Sequence, residues 1–226
     1  RWLFPNVRPA CRARFPLSIG RAWKLGMFLS PAQYRITRRF VEAMFNADLF
    51  LLAGCGVLTD VFGYNAIRIL ETFDLAHRCG IPTAMLSQGI GPMTDPALRQ
   101  RAGEVLPHVG RIFIRERRAT RPLLQGLKVP EARITVTGDD AVEVAYRERR
   151  AELGTGIGVN LRLARYSLLD QRAREVVRQV LAGKAEGRGA RLLGFPISCV
   201  GAESDRPVLA QLFQGWESRH QMGNDL

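Results

Sequence analysis

The chain has 226 residues, 46% of them hydrophobic and 24% charged, enough apolar material for one large globular domain or two small ones. It holds no uninterrupted apolar run of about 18 residues, and its opening, RWLFPNVRPACRARF, lacks the charged, apolar, small-residue order of a secretory signal; a membrane span is not expected, and the chain reads as cytoplasmic. The formal charge of +12 calls for anionic partners, but the arginines of YRERRAEL and DQRAREVVRQ are interleaved with acids and no RNA-binding or zinc-finger pattern accompanies them, so small anions or peripheral contact with the inner membrane face are expected before nucleic acid.

Residues 1–46, with FPLSIG and the apolar-basic YRITRRFVEAMFN, read as the remnant of an earlier element leading into a helix. ADLFLLAG (47–54) is then a continuous apolar run ended by glycine, a buried strand, and NAIRILETFDLAHRCG (65–80) has helical spacing. IPTAMLSQG repeats the strand, and DPALRQRAGEVLPHV opens a helix with Asp95 as N-cap and Pro96 in the first helical position. RIFIRE (111–116) is a third strand, RRATRPLLQGL a short helix and ARITVTGDDAV (132–142) a fourth strand. Strands and helices alternating at intervals of about 20 to 35 residues imply crossover units and a parallel sheet buried on both faces.

The charged and glycine-containing YRERRAELGTG (146–156) marks a domain junction. Beyond it the alternation resumes with a strand at 156–162, a helix at 167–183, a strand at 190–200 and a helix at 205–216. Two strands and two helices are about half of a doubly wound domain. The first residue is Arg rather than Met, and no closing strand follows the last helix, so the chain reads as a fragment. Cys11, Cys55, Cys79 and Cys199 form no C-x-x-C pair and His77, His108 and His220 are scattered, so unpaired thiols and no metal are expected.

Ligands of open parallel sheets bind at the carboxyl ends of the strands, and the unusual residues of this chain collect there. Gly54 and Gly56 in GCGVLTD either allow close approach of a ligand or form a tight turn, and Asp60 either caps the next helix or binds a hydroxyl. Gln88, Gly89 and Gly91 in SQGIGP form a similarly open loop. Arg115 and Glu116 end an apolar strand, where a guanidinium suits phosphate or carboxylate; the alternative is an internal ion pair. Asp139, beside Asp140 after strand four, is a site carboxylate or a turn residue. Arg162 ends the strand after the junction, where it would face the first domain as an anion contact or remain exposed.

ADLFLLAGCGVLTD, GIPTAMLSQGIGP, VGRIFIRERRATRPLL, ITVTGDDAV and IGVNLR, in this order and spacing, resemble the polysaccharide pyruvyl transferase family. The likeness runs from about residue 47 to 165 and continues more weakly through LLGFPISCV and Asp205-Arg206; SQGIGP followed by the correctly spaced Arg115-Glu116 is its most specific part. Cys55 stands where the family pattern has the central glycine of a triplet, Ser87 where the glutamine loop begins with glycine, Thr120 where a serine is usual and Asp140 where a proline follows Asp139. The family's later Arg-x-His segment does not appear, and SRH at 218–220 lies too soon after a helix to be it, which implies that this chain alone is inactive.

The resemblance implies an α/β fold of two Rossmann-like domains with parallel sheets, arranged as in two-domain glycosyltransferases and both incomplete. Residues 1–46 are a remnant of the first domain, 47–150 its body and 151–226 the start of a truncated second. It implies transfer of a pyruvyl group from phosphoenolpyruvate to a sugar hydroxyl of a cell-surface or exopolysaccharide glycan, as a ketal. Phosphoenolpyruvate is then donor substrate rather than cofactor, the acceptor is a saccharide or lipid-linked saccharide, and no metal is called for. Arg115 is the expected donor contact, Gly54, Gly56, Gln88, Gly89 and Gly91 line the cleft, and Asp60, Glu116 and Asp139 are carboxylates among which acid and base are not assigned. A nucleotide-sugar glycosyltransferase and a truncated or degenerate member that only binds glycan share the same features.

Overall fold

The structure, a computed structural model, describes residues 31–152, 154–162, 170–199, 201, 204–214 and 221–222. The chain divides into two compact units with the boundary between Arg149 and Arg150. The first contains α1 (Pro31–Asn46), β1 (Phe50–Leu52), α2 (Gly63–Arg78), β2 (Thr83–Gln88), α3 (Pro96–Val105), β3 (Arg111–Ile114), α4 (Thr120–Gly126), β4 (Ile134–Val136) and α5 (Ala141–Arg147). Its four strands pair in parallel in the order β1-β2-β3-β4.

Each crossover moves the chain one strand in the same direction, and since such connections are right-handed the helices gather on one face. Leu70 and Phe73 of α2, Leu98 of α3 and Leu124 of α4 accordingly share one core with Met85, Ile112 and Ile114 of the sheet. Leu51, which alternation turns to the opposite face, is 42% exposed, so burial of both faces does not hold for β1. Among the described residues the order of this sheet never reverses, so the described strands show no switch point of the doubly wound kind. The architecture established is mixed α/β with parallel sheets.

Local chemistry fixes the boundaries. Asp95 Oδ1 accepts the Leu98 amide at 2.8 Å and Pro96 occupies the first turn, starting α3 as the sequence indicates. Arg101 of α3 reaches Glu71 (2.7 Å) and Asp74 (2.8 Å) on α2 and Glu104 (3.0 Å) on its own helix, so part of the arginine excess ties helix to helix. α1 lays Val41, Met44 and Phe45 on Ala76, Cys79 and Ile81. His77 and His108, distant in sequence, stack with ring centroids 4.5 Å apart. The fourth strand is shorter than the expected 132–142: it stops at Val136, Gly138 turns with φ +87, and Asp139 accepts the Ala141 and Val142 amides to begin α5.

The second unit contains β5 (Ile157–Val159), α6 (Gln171–Arg188), β6 (Leu192–Gly194), α7 (Arg206–Phe213) and β7 (Gln221–Met222), with a parallel sheet in the order β5-β6-β7. α6 starts later than expected because Asp170 caps it through the Ala173 amide (2.7 Å), and it runs on through Gly183 and Gly187 to the left-handed Gly189. Residues 163–169, where the expected helix began, lie outside the described residues, as do residues 1–30 and SRH at 218–220. Leu192 and Leu209 are fully buried at the centre of this unit. No described helix is long and apolar enough to cross a membrane.

Ile112 has no solvent exposure in the middle of the first sheet, whereas Leu51 lies on its open face. Ile112→Ala should therefore lower stability by about 2–4 kcal/mol, and Leu51→Ala by less than about 1 kcal/mol. Urea unfolding followed through the first unit's transition measures both; equal losses would show that the Leu51 face is covered in solution.

Candidate functional site

The carboxyl ends of β1 to β3 feed three loops that interlock through backbone hydrogen bonds. Gly89 N donates to Cys55 O (3.3 Å), Gly91 N to Leu58 O (2.9 Å), Asp60 N to Pro92 O (3.1 Å) and Arg115 N to Gln88 O (3.1 Å). Residues 89–94 thus run alongside 58–60 as an extra, irregular strand pair, with Leu58 bridged to Ile90. Together the loops bound an open cleft of about 480 Å³, walled by Gly56 and Thr59, the 89–94 loop, Arg99, and residues between Arg115 and Leu123.

Arg115 lies across this cleft in a position that only bare backbone allows. A Cβ added at Gly89 would stand 2.6 Å from both Nε and Nη2 of the guanidinium, and one at Gly56 would stand 3.3 Å from Nη2. Gly91 has φ +93, and its Cβ would meet Leu123 Cδ2 at 2.8 Å, so this position has no room for a side chain and a backbone that favours glycine. Asp139 Oδ2 lies 3.3 Å from Arg115 Nη1, both side chains being substantially exposed. An exposed pair of this length contributes at most about 1 kcal/mol, so an arriving anion can displace it.

Asp60 and Glu116 have different surroundings. Asp60 accepts from the Thr94 amide (2.7 Å) and hydroxyl (2.8 Å) and from the Asp95 amide (3.0 Å), and these bonds, the Thr94 amide foremost, hold its carboxyl below the usual range. Glu116 accepts the Thr120 amide at 2.7 Å and the Ala119 amide at 3.0 Å. Hydrogen bonding from Thr120, then from Ala119, lowers it from an ordinary 4.5 to about 2, against a smaller opposing effect of burial. Both side chains staple loops and are held ionised, so each is a fixed anion, too weak a base to take a proton readily and not poised to give one up.

Gln88 is fully buried, the two protons of its Nε2 shared among Leu86 O (2.7 Å), Ala53 O (3.0 Å) and Leu52 O (3.3 Å), while the Cys55 thiol, 3.5 Å away, donates to Oε1. Gln88 therefore braces the end of β1, and Cys55 completes that brace. Gly54 is exposed and is not among the residues that wall the cleft; a Cβ there would stand 3.0 Å from Ser87 Cβ. Arg162 belongs to the second unit; its Nη1 lies 3.4 Å from Asp205 Oδ1. Burial raises the Asp205 carboxyl, but the Ser198 amide, the Asn160 side chain, the Ile197 amide and Arg162 outweigh it and leave it lowered.

Four further residues complete the site. Ser87 adopts φ +46; its hydroxyl donates to Gly138 O (3.1 Å) and accepts the Asp140 amide (3.0 Å), which sets Asp139 beside Arg115. The Thr120 hydroxyl accepts from Ile90 N (3.3 Å) and donates to Ile90 O (3.2 Å), fixing the middle of the loop. Thr59 lines the cleft with a buried hydroxyl that has no hydrogen-bond partner among the described residues, a condition costing about 1–3 kcal/mol. Arg99 lines it from α3, and the sequence does not mark it, because the fold decides which loop faces that helix. Among the described residues no three His, Cys, Asp or Glu side chains converge on a metal site.

Because the Glu116 pKa is lower in the folded chain than the ordinary 4.5, its contribution to stability is complete above that value and is lost as the pH falls through about 2. Glu116→Gln should reduce stability at pH 7 and flatten the loss between pH 5 and 2. Denaturant midpoints across that range check it, and parallel curves for the two proteins would contradict the cap.

No curated protein and no solved structure matches this chain significantly. The profile of one protein family, polysaccharide pyruvyl transferase, matches residues 3–213. That span reaches into both units and covers every loop of the cleft, and the chain belongs to the polysaccharide pyruvyl transferase family.

Proposed function

We propose that the cleft of the first unit binds phosphoenolpyruvate and that its pyruvyl group passes to hydroxyls of a saccharide or lipid-linked saccharide destined for a cell-surface or exopolysaccharide glycan. The observation that carries this reading is the guanidinium of Arg115 laid over Gly89 and Gly56 inside an open cleft. It is held by backbone on one side and only weakly engaged by Asp139 on the other. The donor offers a phosphate and a carboxylate on one carbon, a match for a planar fork of donors.

In the proposed reaction the methylene carbon of the donor takes up a proton and becomes a methyl group. Two acceptor hydroxyl oxygens form bonds to the central carbon, whose bond to the phosphate oxygen breaks. One hydroxyl proton replaces the proton taken up by carbon and the other leaves with phosphate. Arg115 would neutralise the charge carried by the departing phosphate. Asp139, exposed and beside Arg115, would serve as base toward an acceptor hydroxyl, while Asp60 and Glu116 would keep the loops in register. The finer expectations of paired Rossmann-like domains, of Arg162 as a second-domain anion contact and of a cytoplasmic location with peripheral membrane contact accompany this proposal.

Phosphoenolpyruvate at 100 times its Kd should raise stability by about 2.7 kcal/mol in thermal unfolding. Arg115→Ala should weaken donor binding about 10- to 150-fold, the range for a hydrogen bond to a charged group. Gly89→Ala should weaken it too, by displacing the guanidinium with Arg115 still present. Unchanged affinity in Arg115→Ala with the fold intact would remove this function from the cleft.

A further inference from the structure

We infer that Arg99 holds a second anionic group in the same cleft, a phosphate or carboxylate carried by the acceptor saccharide; this rests on the donor reading above. The 89–94 loop runs along the cleft wall between the two guanidiniums. Arg115 lies against Gly89 at one end, and at the other Arg99 Nη1 reaches Met93 O at 3.4 Å. Gly89 and Met93 stand at different points of this loop, which pairs with residues 58–60 through Ile90, the Gly91 amide and Pro92 O, so the two guanidiniums meet the cleft wall at different places. Phosphoenolpyruvate is small beside a cleft of about 480 Å³ and leaves room in it for a second molecule. A cation at the far end faces whatever shares the cleft with the donor.

Three observations give Arg99 a ligand to find. Its long bond to Met93 O is its one side-chain hydrogen bond among the described residues, and no described carboxylate pairs with it. It occupies the fourth position of α3, whose first turn carries no acid and whose dipole disfavours a cation. In the same cleft, next to Leu58 and so across from the Ile90–Gly91 stretch, Thr59 holds its unpartnered buried hydroxyl. A saccharide bridging the cleft would bring oxygens to the middle and an anion to Arg99.

Calorimetric titration of the full chain at low ionic strength, with phosphoenolpyruvate, glucose 1-phosphate, glucuronate and glucose as probes, tests this in the wild type, Arg99→Ala and Arg115→Ala. The expected result is binding of glucose 1-phosphate or glucuronate about tenfold or more tighter than glucose. Arg99→Ala should abolish that preference and leave phosphoenolpyruvate affinity within about twofold, which also shows the variant folded. Whichever of the two sugar anions binds tighter identifies the group as phosphate or carboxylate. Equal binding of all three sugars, no binding of any, or a preference that survives in Arg99→Ala overturns the inference. So does a loss of phosphoenolpyruvate in Arg99→Ala as large as in Arg115→Ala, since both arginines would then hold the donor. Sugar-anion binding through Arg99 without any phosphoenolpyruvate binding would instead retain the anion site and overturn the donor reading.

Discussion

A guanidinium can lie flat on a peptide backbone only where no side chain rises to meet it. The site in this chain depends on that exclusion, because the atoms of Arg115 occupy the space that a Cβ at Gly89 would need. The glycine does not loosen the loop; it makes a seat for a charge. Once seated, the guanidinium meets backbone below, an exposed carboxylate beside it and open volume in front. Such a charge is stable enough to stay in place and available enough to exchange partners.

The surrounding polar groups divide into those that hold loops and those left to engage a ligand. Asp60, Glu116, Gln88, Ser87 and Thr120 spend their hydrogen bonds on backbone amides and carbonyls of neighbouring loops. Arg115, Arg99 and Thr59 are not committed in this way among the described residues. Preorganisation of this kind lowers the reorganisation needed when charge shifts in a reaction.

Much of this was legible in the sequence. Alternating apolar runs and helical spacings gave the order of the elements, Asp95-Pro96 marked the start of α3, and the ordered glycine, glutamine-loop and Arg-Glu segments pointed to the family. What escaped were features that depend on a third dimension. Gln88 sits one residue before a cleft-lining glycine yet points into the protein, because β2 is irregular between Met85 and Gln88. Glu116 looked available as a carboxylate until the chain turned back and presented two amides to it. Arg99 resembled any solvated helix arginine, since nothing in its own helix reveals which loop lies opposite.

That irregularity in β2 has a wider effect. Ser87, at φ +46, clasps the turn after β4, and its neighbour Gln88 clasps the end of β1, so two consecutive side chains grip the loops on either flank. Mechanically, the rim has a keystone: the carboxyl end of one short strand ties the loop after β1 to the turn after β4, and its rigidity sets how far the whole rim can breathe.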